Sequence, residues 1–131
     1  MSTEQLKIFI QRFDDMFNRP DISIADEIFA PHFVARVPLM PPLNRSNFKG
    51  FWQSFYAAFP DFRQDIRDYI MTTDRLVLRV ICSGTHQGDF LGIPATGRPI
   101  TIPGICIFRV ENQMVVENWT ELDIFGVDLS S

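Results

Sequence analysis

The sequence is short of most features that would narrow a function at once. It has two cysteines in 131 residues, Cys82 and Cys106. Both sit inside apolar, strand-like runs, so they read as reduced, buried thiols and not as a disulfide framework. There are two histidines, His32 and His86. They are distant in sequence and lack Cys or carboxylate companions at ligand spacing, so no metal motif is present. No Lys/Arg run exists; basic residues are scattered, and the net charge is −4. Nucleic acid needs a basic face and an anionic membrane surface needs a basic cluster, so neither is an expected partner. No run approaches the roughly 20 apolar residues of a membrane span. Ile8-Phe9-Ile10 is too short for the core of a signal peptide, and Glu4 and Lys7 precede it. A soluble protein of a reducing, cytoplasmic compartment is expected. There is no G-x-S-x-G, P-loop or dinucleotide fingerprint, and the Gly-rich run from Gly88 to Gly97 opens no helix that would cradle phosphate. No cofactor is expected.

What the chain does have is phenylalanine: 13 of them, with 46 % apolar residues overall. Its length suits one domain, 1–131, with a real core. So many rings fit either a core built from Phe or a hollow fold lined by rings.

Ser2 or Thr3 can cap a first helix, in which Leu6, Phe9, Ile10, Phe13, Met16 and Phe17 recur at helical spacing. Asn18-Arg19-Pro20 ends it. Asp14 and Asp15 are adjacent, diverge by about 100°, and read as solvated. Ser23 to Phe29 predicts a short second helix closed by Pro31, and Phe33 to Val37 a short strand. Pro38, Pro41 and Pro42 make a rigid loop. Asn44 or Ser46 starts a third helix bearing Phe48, Phe51, Trp52, Phe55 and Phe59, with Gly50, Ala57 and Ala58 leaving room for close packing. A strand meander follows: 62–71, 76–82, 101–110 and 114–122. Helices first and strands after is an α+β pattern with an antiparallel sheet.

The register of the last hairpin fixes which residues share a face. A three-residue turn, Glu111-Asn112-Gln113, sets Val110 against Met114, Cys106 against Asn118 and Gly104 against Thr120. Gly104, Cys106, Phe108, Asn118 and Thr120 then share one face. Ile105, Ile107, Arg109, Trp119 and Glu121 share the other. A one-residue slip would mix the two sets.

Between the two central strands lies Gly84-Thr85-His86-x-Gly88-x-Phe90-x-Gly92-Ile93-Pro94-x-Thr96-Gly97-Arg98. This loop resembles the central loop of the SnoaL-like polyketide cyclases, which belong to the cone-shaped superfamily of ketosteroid isomerase and nuclear transport factor. Phe108-Arg109-Val110 and the stretch from Glu117-Asn118-Trp119 to Asp123 resemble the same family. The resemblance implies a cone: a curved antiparallel sheet with N-terminal helices over its open face, a cystatin-like fold. It also implies a homodimer, with Arg109, Trp119 and Glu121 on the outer, subunit-facing side of the sheet.

Such cyclases close a carbon ring by an aldol step, with a carboxylic acid on the last strand as general acid/base. That position here is Thr120, and a Gln and a His of the cyclase pocket fall on Gly104 and Cys106. A threonine hydroxyl cannot replace a carboxylate as base. Two other residues match family positions. His86 can pin the loop through backbone hydrogen bonds, or handle a proton at a pocket mouth. Asp123 can cap a turn with Ile124-Phe125-Gly126, or serve as a displaced acid. These two are the candidate catalytic residues of a cyclase- or isomerase-type enzyme. A pocket for a small apolar carbonyl or polyketide-like ligand would be lined by Phe13, Phe17, Trp52 and Phe55 from the helices. Cys106, Phe108, Asn118 and Thr120 would line it from the sheet. The same pocket without turnover would make a binding protein. An epoxide hydrolase on this fold needs two carboxylates bridged by an Arg, which do not assemble on one face here.

Overall fold

In this computed structural model the described residues are 2–18, 22–90 and 92–123. Helix α1 spans Thr3–Asn18. Ser2 and Gln5 close a reciprocal capping box: the Gln5 N–H donates to Ser2 Oγ (3.2 Å) and the Ser2 N–H to Gln5 Oε1 (3.1 Å). Leu6, Phe9, Phe13, Met16 and Phe17 form its buried stripe. Asp14 and Asp15, expected as solvated, are half-buried. Each accepts from an amide four residues away, Asn18 and Gln11 respectively. Arg19 and Pro20, expected to end the helix, lie outside the described residues. The end of α1 is held by Asn18, which exchanges hydrogen bonds of 2.7 and 3.0 Å with the backbone of Gln64. The Tyr56 hydroxyl, shared between the carbonyls of Met16 and Phe17, holds it from the other side.

The second helix is shorter than its sequence suggests. A 3-10 turn at Ile22–Ile24 leads into α2, Ala25–Ile28, with no side-chain cap. The chain is already extended at Phe29, where β1 (Phe29–Arg36) begins. Pro31 therefore lies inside a strand, and the pairing of β1 is irregular between Phe29 and Val34, where a proline can sit without breaking a ladder. After the proline-rich loop come β2 (Leu43–Asn44) and α3 (Arg45–Ala58). Asn44 caps α3 by accepting from the Asn47 N–H at 2.8 Å. The meander is β3 (Arg63–Met71), β4 (Arg75–Thr85), β5 (Pro99–Glu111) and β6 (Met114–Leu122).

The six strands form one curved sheet in the order β2-β1-β6-β5-β4-β3. The architecture is α+β, as the element pattern requires. One correction applies: β1 runs parallel to β6, while every other neighbouring pair is antiparallel. The helices cover the inner face. Phe13 of α1 sits on Phe108 of β5, with ring centroids 4.5 Å apart. Trp52 of α3 meets Phe17 at 4.9 Å, and Phe29 stacks on Phe33 at 4.4 Å.

The β5–β6 hairpin differs from the expected turn in an instructive way. Asn112 (φ 50°) and Gln113 (φ 64°) both adopt left-handed backbone, so the turn has two residues and closes Glu111 on Met114. One strand pair further, Val110 faces Val115 but Arg109 faces Glu117, leaving Val116 as an extra, bulged residue. Each change moves the register by one. Together they move it by two, so Cys106 opposes Thr120 and Gly104 opposes Leu122. An even shift preserves which face each residue occupies. Cys106, Phe108, Asn118 and Thr120 are all buried on the inner side, and Ile105 and Glu121 are exposed on the other.

Gln113 is the costly member of that turn, because a side chain in the left-handed region is strained. Gln113→Gly is expected to stabilise the protein by about 1 kcal/mol. The urea midpoint should rise with the slope unchanged; an unmoved midpoint would mean that the turn is not the strained element.

Candidate functional site

The inner face carries a short polar strip in an otherwise apolar interior. Residues two apart on β6 share a face, so Thr120 and Asn118 lie side by side. The Thr120 hydroxyl donates to Asn118 Oδ1 at 2.8 Å, and Asn118 Nδ2 donates to the Ile107 carbonyl at 3.3 Å. Across the hairpin, Cys106 stands opposite Thr120. From the edge strand β3, Gln64 Nε2 reaches the Cys106 sulfur at 4.0 Å, while Gln64 Oε1 is buried without a partner. Gln64 was not singled out in the sequence because the strand around it mixes apolar and charged residues on both faces.

None of these groups handles protons near neutral pH. Burial pushes the Cys106 thiol up to about 11, against the Thr120 hydrogen bond that favours the thiolate. Cys82 is pushed up to about 12, first by burial and then by Cys106 and Asp65. A Cβ at Gly104 would lie 2.5 Å from Leu122 Cδ2, so a larger residue there would require the Leu122 side chain to move.

The ring-lined hollow expected around Thr120 is occupied by the rings themselves. Trp52 is sealed among Phe17, Phe48, Phe51, Phe55 and Phe62, with its indole N–H unpartnered. Phe13, Phe17 and Phe108 border an indentation of about 10 Å³, shared with Asp14, Gln64, Ile66 and Leu78. That is room for about one water. Neither this indentation nor the groove described below is lined by Cys106, Asn118 or Thr120.

His86 and Asp123 are not brought together. His86 is fully buried at the end of β4 and ties the loop to itself. Its N–H donates to the Arg98 carbonyl and its carbonyl accepts from the Gly97 N–H, both at 2.8 Å. The Thr96 N–H donates to Nδ1 at 3.3 Å, and the Thr96 hydroxyl lies 2.9 Å from the same atom. An accepting Nδ1 places the proton on Nε2, which has no partner and sits among Phe59 and Phe90. The loop is also fastened to α3, since the Gln87 and Gly88 N–H groups donate to the Ala58 carbonyl at 2.8 and 3.1 Å. A Cβ at Gly88 would lie 2.6 Å from the Ala57 carbonyl oxygen, so this close approach requires glycine. Asp123, by contrast, is exposed at the end of β6 beside the outward-facing Arg79, Ile105 and Glu121. Ile124, Phe125 and Gly126 of its expected turn lie outside the described residues.

The outer face holds an ionic ladder. Arg109 donates from Nε to Glu117 at 2.7 Å and also pairs with Glu111. Arg36 meets the other Glu117 oxygen at 2.8 Å and lies over the Trp119 ring at 5.4 Å. The Arg109 hydrogen bond, and then Arg36, hold the Glu117 carboxyl below its ordinary range.

A larger opening bordered by the helices lies elsewhere. A groove of about 590 Å³ runs between the proline-rich loop 38–43, the outward stripe of α3 and the loop at 89–90. Leu39, Met40, Phe51, Phe55 and Phe90 supply its apolar walls, and Asn47, Ser54 and Asp89 its polar points. Of the expected pocket residues, Phe55 alone reaches it. Among the described residues no group of three His, Cys, Asp or Glu gathers to hold a metal ion, and no helix is long and apolar enough to cross a membrane.

Three comparisons bear on this geometry. The family model for SnoaL-like polyketide cyclases matches residues 7–128. IdmH of Streptomyces antibioticus is 32% identical, with a TM-score of 0.77 over 87% of this chain and 88% of that one. TsrD of Streptomyces laurentii is 23% identical, with a TM-score of 0.86 over 96% of this chain and 93% of that one. A SnoaL-like protein of Jannaschia sp. CCS1 is 19% identical, with a TM-score of 0.86 over 95% and 88%. The last two similarities bear on the fold alone. No curated protein matches the sequence significantly.

The loop's clasp on β4 is titratable. The Asp61 carboxylate accepts from the Thr85 N–H at 2.7 Å and its hydroxyl at 2.8 Å, and these bonds lower its pKa. A depressed folded pKa contributes stability that is complete above the unfolded value of about 3.9 and lost as pH falls through the folded one. Asp61→Asn should therefore flatten the acid limb of the stability–pH curve below about pH 5. Identical acid limbs in variant and parent would remove the carboxylate from the clasp.

Proposed function

The chain belongs to the SnoaL-like polyketide cyclase family, and we propose that it binds a small apolar carbonyl or polyketide-like ligand without the proton-handling acid of the cyclases. The observation that carries this reading is the chemistry of the inner sheet face. Its polar groups are Gln64, Cys106, Asn118 and Thr120; no carboxylate joins them from the described strand residues, and Asp14 of α1, which borders the small indentation beside Gln64, accepts from Asn18. Aldol closure needs a base that ionises near neutral pH. A threonine hydroxyl already donated to Asn118 is no such base, and both thiols stay protonated far above neutrality.

On this reading Thr120 stands where the cyclases keep their acid, and the inner face has been given over to packing. His86 serves the loop. Asp123, on the surface, takes no part in proton transfer. The helix-covered side carries an open groove of small-molecule size. We read residues 1–131 as one domain. The outer face, with Trp119, Arg109 and Glu121, is the natural contact for a second copy, as a homodimer. Two buried, reduced thiols suit the cytoplasm.

The test is calorimetry with one- to three-ring aromatic ketones, beside NMR of their α-proton exchange in D2O. Binding with exchange no faster than in buffer is expected; exchange catalysed by the protein would overturn the non-catalytic reading. Thr120→Asp is expected to cost about 3 kcal/mol or more of stability, because it buries an unpaired charge, and to leave ketone affinity no tighter. Tighter binding in that variant would show that position 120 faces the ligand.

A further inference from the structure

Two residues at the groove are unusual choices for the positions they hold. Gly50 lies inside α3, where glycine is a poor helix former. Close packing does not explain it: a Cβ there would have nothing within 4 Å. Gly50 lines the groove, so the space above its Cα is the groove itself. On the facing wall, Leu39 follows Pro38 in a turn at φ 66°, a position that glycine or asparagine usually takes and a leucine rarely adopts, and the residue is 59% exposed. Pro38 and Pro41 flank Leu39 and Met40 and limit their escape. Strain and a missing side chain, both at one apolar groove, are what a binding site retains against stability.

The polar points around it are equally selective. The Ser54 hydroxyl is turned back onto the Gly50 carbonyl at 3.0 Å, so it presents no donor to the groove. Asp89 is the one ionisable residue among the described lining residues. With a net charge of −4 behind it, the groove repels anions and offers an acceptor to a hydroxyl or amine.

We propose that this groove is the ligand seat: a flat, uncharged ring system with a hydrogen-bond donor lies across the bare Gly50 backbone, under Leu39 and Met40, with its donor toward Asp89. Gly50 sets the depth of the seat and Asp89 the charge it accepts. This rests on the ligand-binding reading above and adds where the ligand lies and which ligands are refused.

Two fluorescent probes of one ring skeleton separate the claims. N-phenyl-1-naphthylamine is neutral and carries an N–H; 8-anilino-1-naphthalenesulfonate adds a sulfonate. The neutral probe should bind the whole protein about fivefold or more tighter than the sulfonate at low salt, and Asp89→Asn should narrow that gap. Gly50→Leu should weaken the neutral probe about tenfold or more while leaving Tm no lower than the parent's. Gly50→Ala, the folding control, should raise Tm by about 3 °C. If neither probe binds the parent, nor does any ketone, the ligand-binding reading itself fails. If the neutral probe binds but Gly50→Leu changes nothing, that reading stands and the groove is not the seat. If Gly50→Leu instead dissociates an oligomer in sedimentation, a second copy covers the groove and the proposal falls. Equal affinity for both probes, unmoved by Asp89→Asn, removes the charge selection.

Discussion

The pairing of β5 with β6 is the constraint from which the interior follows. The two-residue turn at Asn112-Gln113 and the bulge at Val116 each displace the ladder by one position. Because the two displacements add to an even number, Phe108, Cys106, Asn118 and Thr120 all point toward the helices. Had either device been absent, the strand would present Trp119 and Glu121 to the aromatic core and turn Asn118 and Thr120 to solvent. The cost of burying those charged and amphipathic side chains would be prohibitive for a domain of this size. The strained Gln113 is tolerated because every inner-face contact depends on the register it helps to set.

What fills the space over that face is ring against ring. Phe13 lies on Phe108, Trp52 among five phenylalanines, and Phe55 against Phe90. Aromatic side chains bury large areas each and pack edge to face without needing partners. They occupy the middle of the cone and pack over the polar strip beneath them. Its donors and acceptors turn to one another, as Thr120 does to Asn118. The unpartnered Trp52 N–H and Gln64 Oε1 mark where that accommodation is incomplete. Among the described residues, a groove opens where α3 lacks a side chain, at Gly50, and where the proline-rich loop stands off from it.

The central loop owes its sequence to fastening. Gly88 exists so that the loop backbone can touch the last turn of α3. His86 and Thr96 tie the loop's two ends, and Asp61 reaches across to Thr85. His86 is fully buried, with Nδ1 engaged by Thr96 and its other nitrogen against phenyl rings. The loop in turn carries Phe90 and Asp89 to the groove, so the fastening also positions the candidate site.

Composition and periodicity were enough to establish the α+β order, the three helical segments, the meander and the two faces of the last hairpin. These depend on spacing along the chain, which is written in the residues. The loop motif carried the family for the same reason. Other features were not legible. Pro31 reads as a terminator, yet it sits in a strand because β1 pairs irregularly with β6, a contact across most of the chain. The parallel sense of that pair comes from the same long-range contact, and the exact partner of Cys106 from a two-residue turn and a one-residue bulge in the last hairpin. Whether thirteen phenylalanines enclose a hollow or fill it is not a property of any segment. It depends on how far the helices settle onto the curved sheet, and that distance is fixed only when all the side chains pack together.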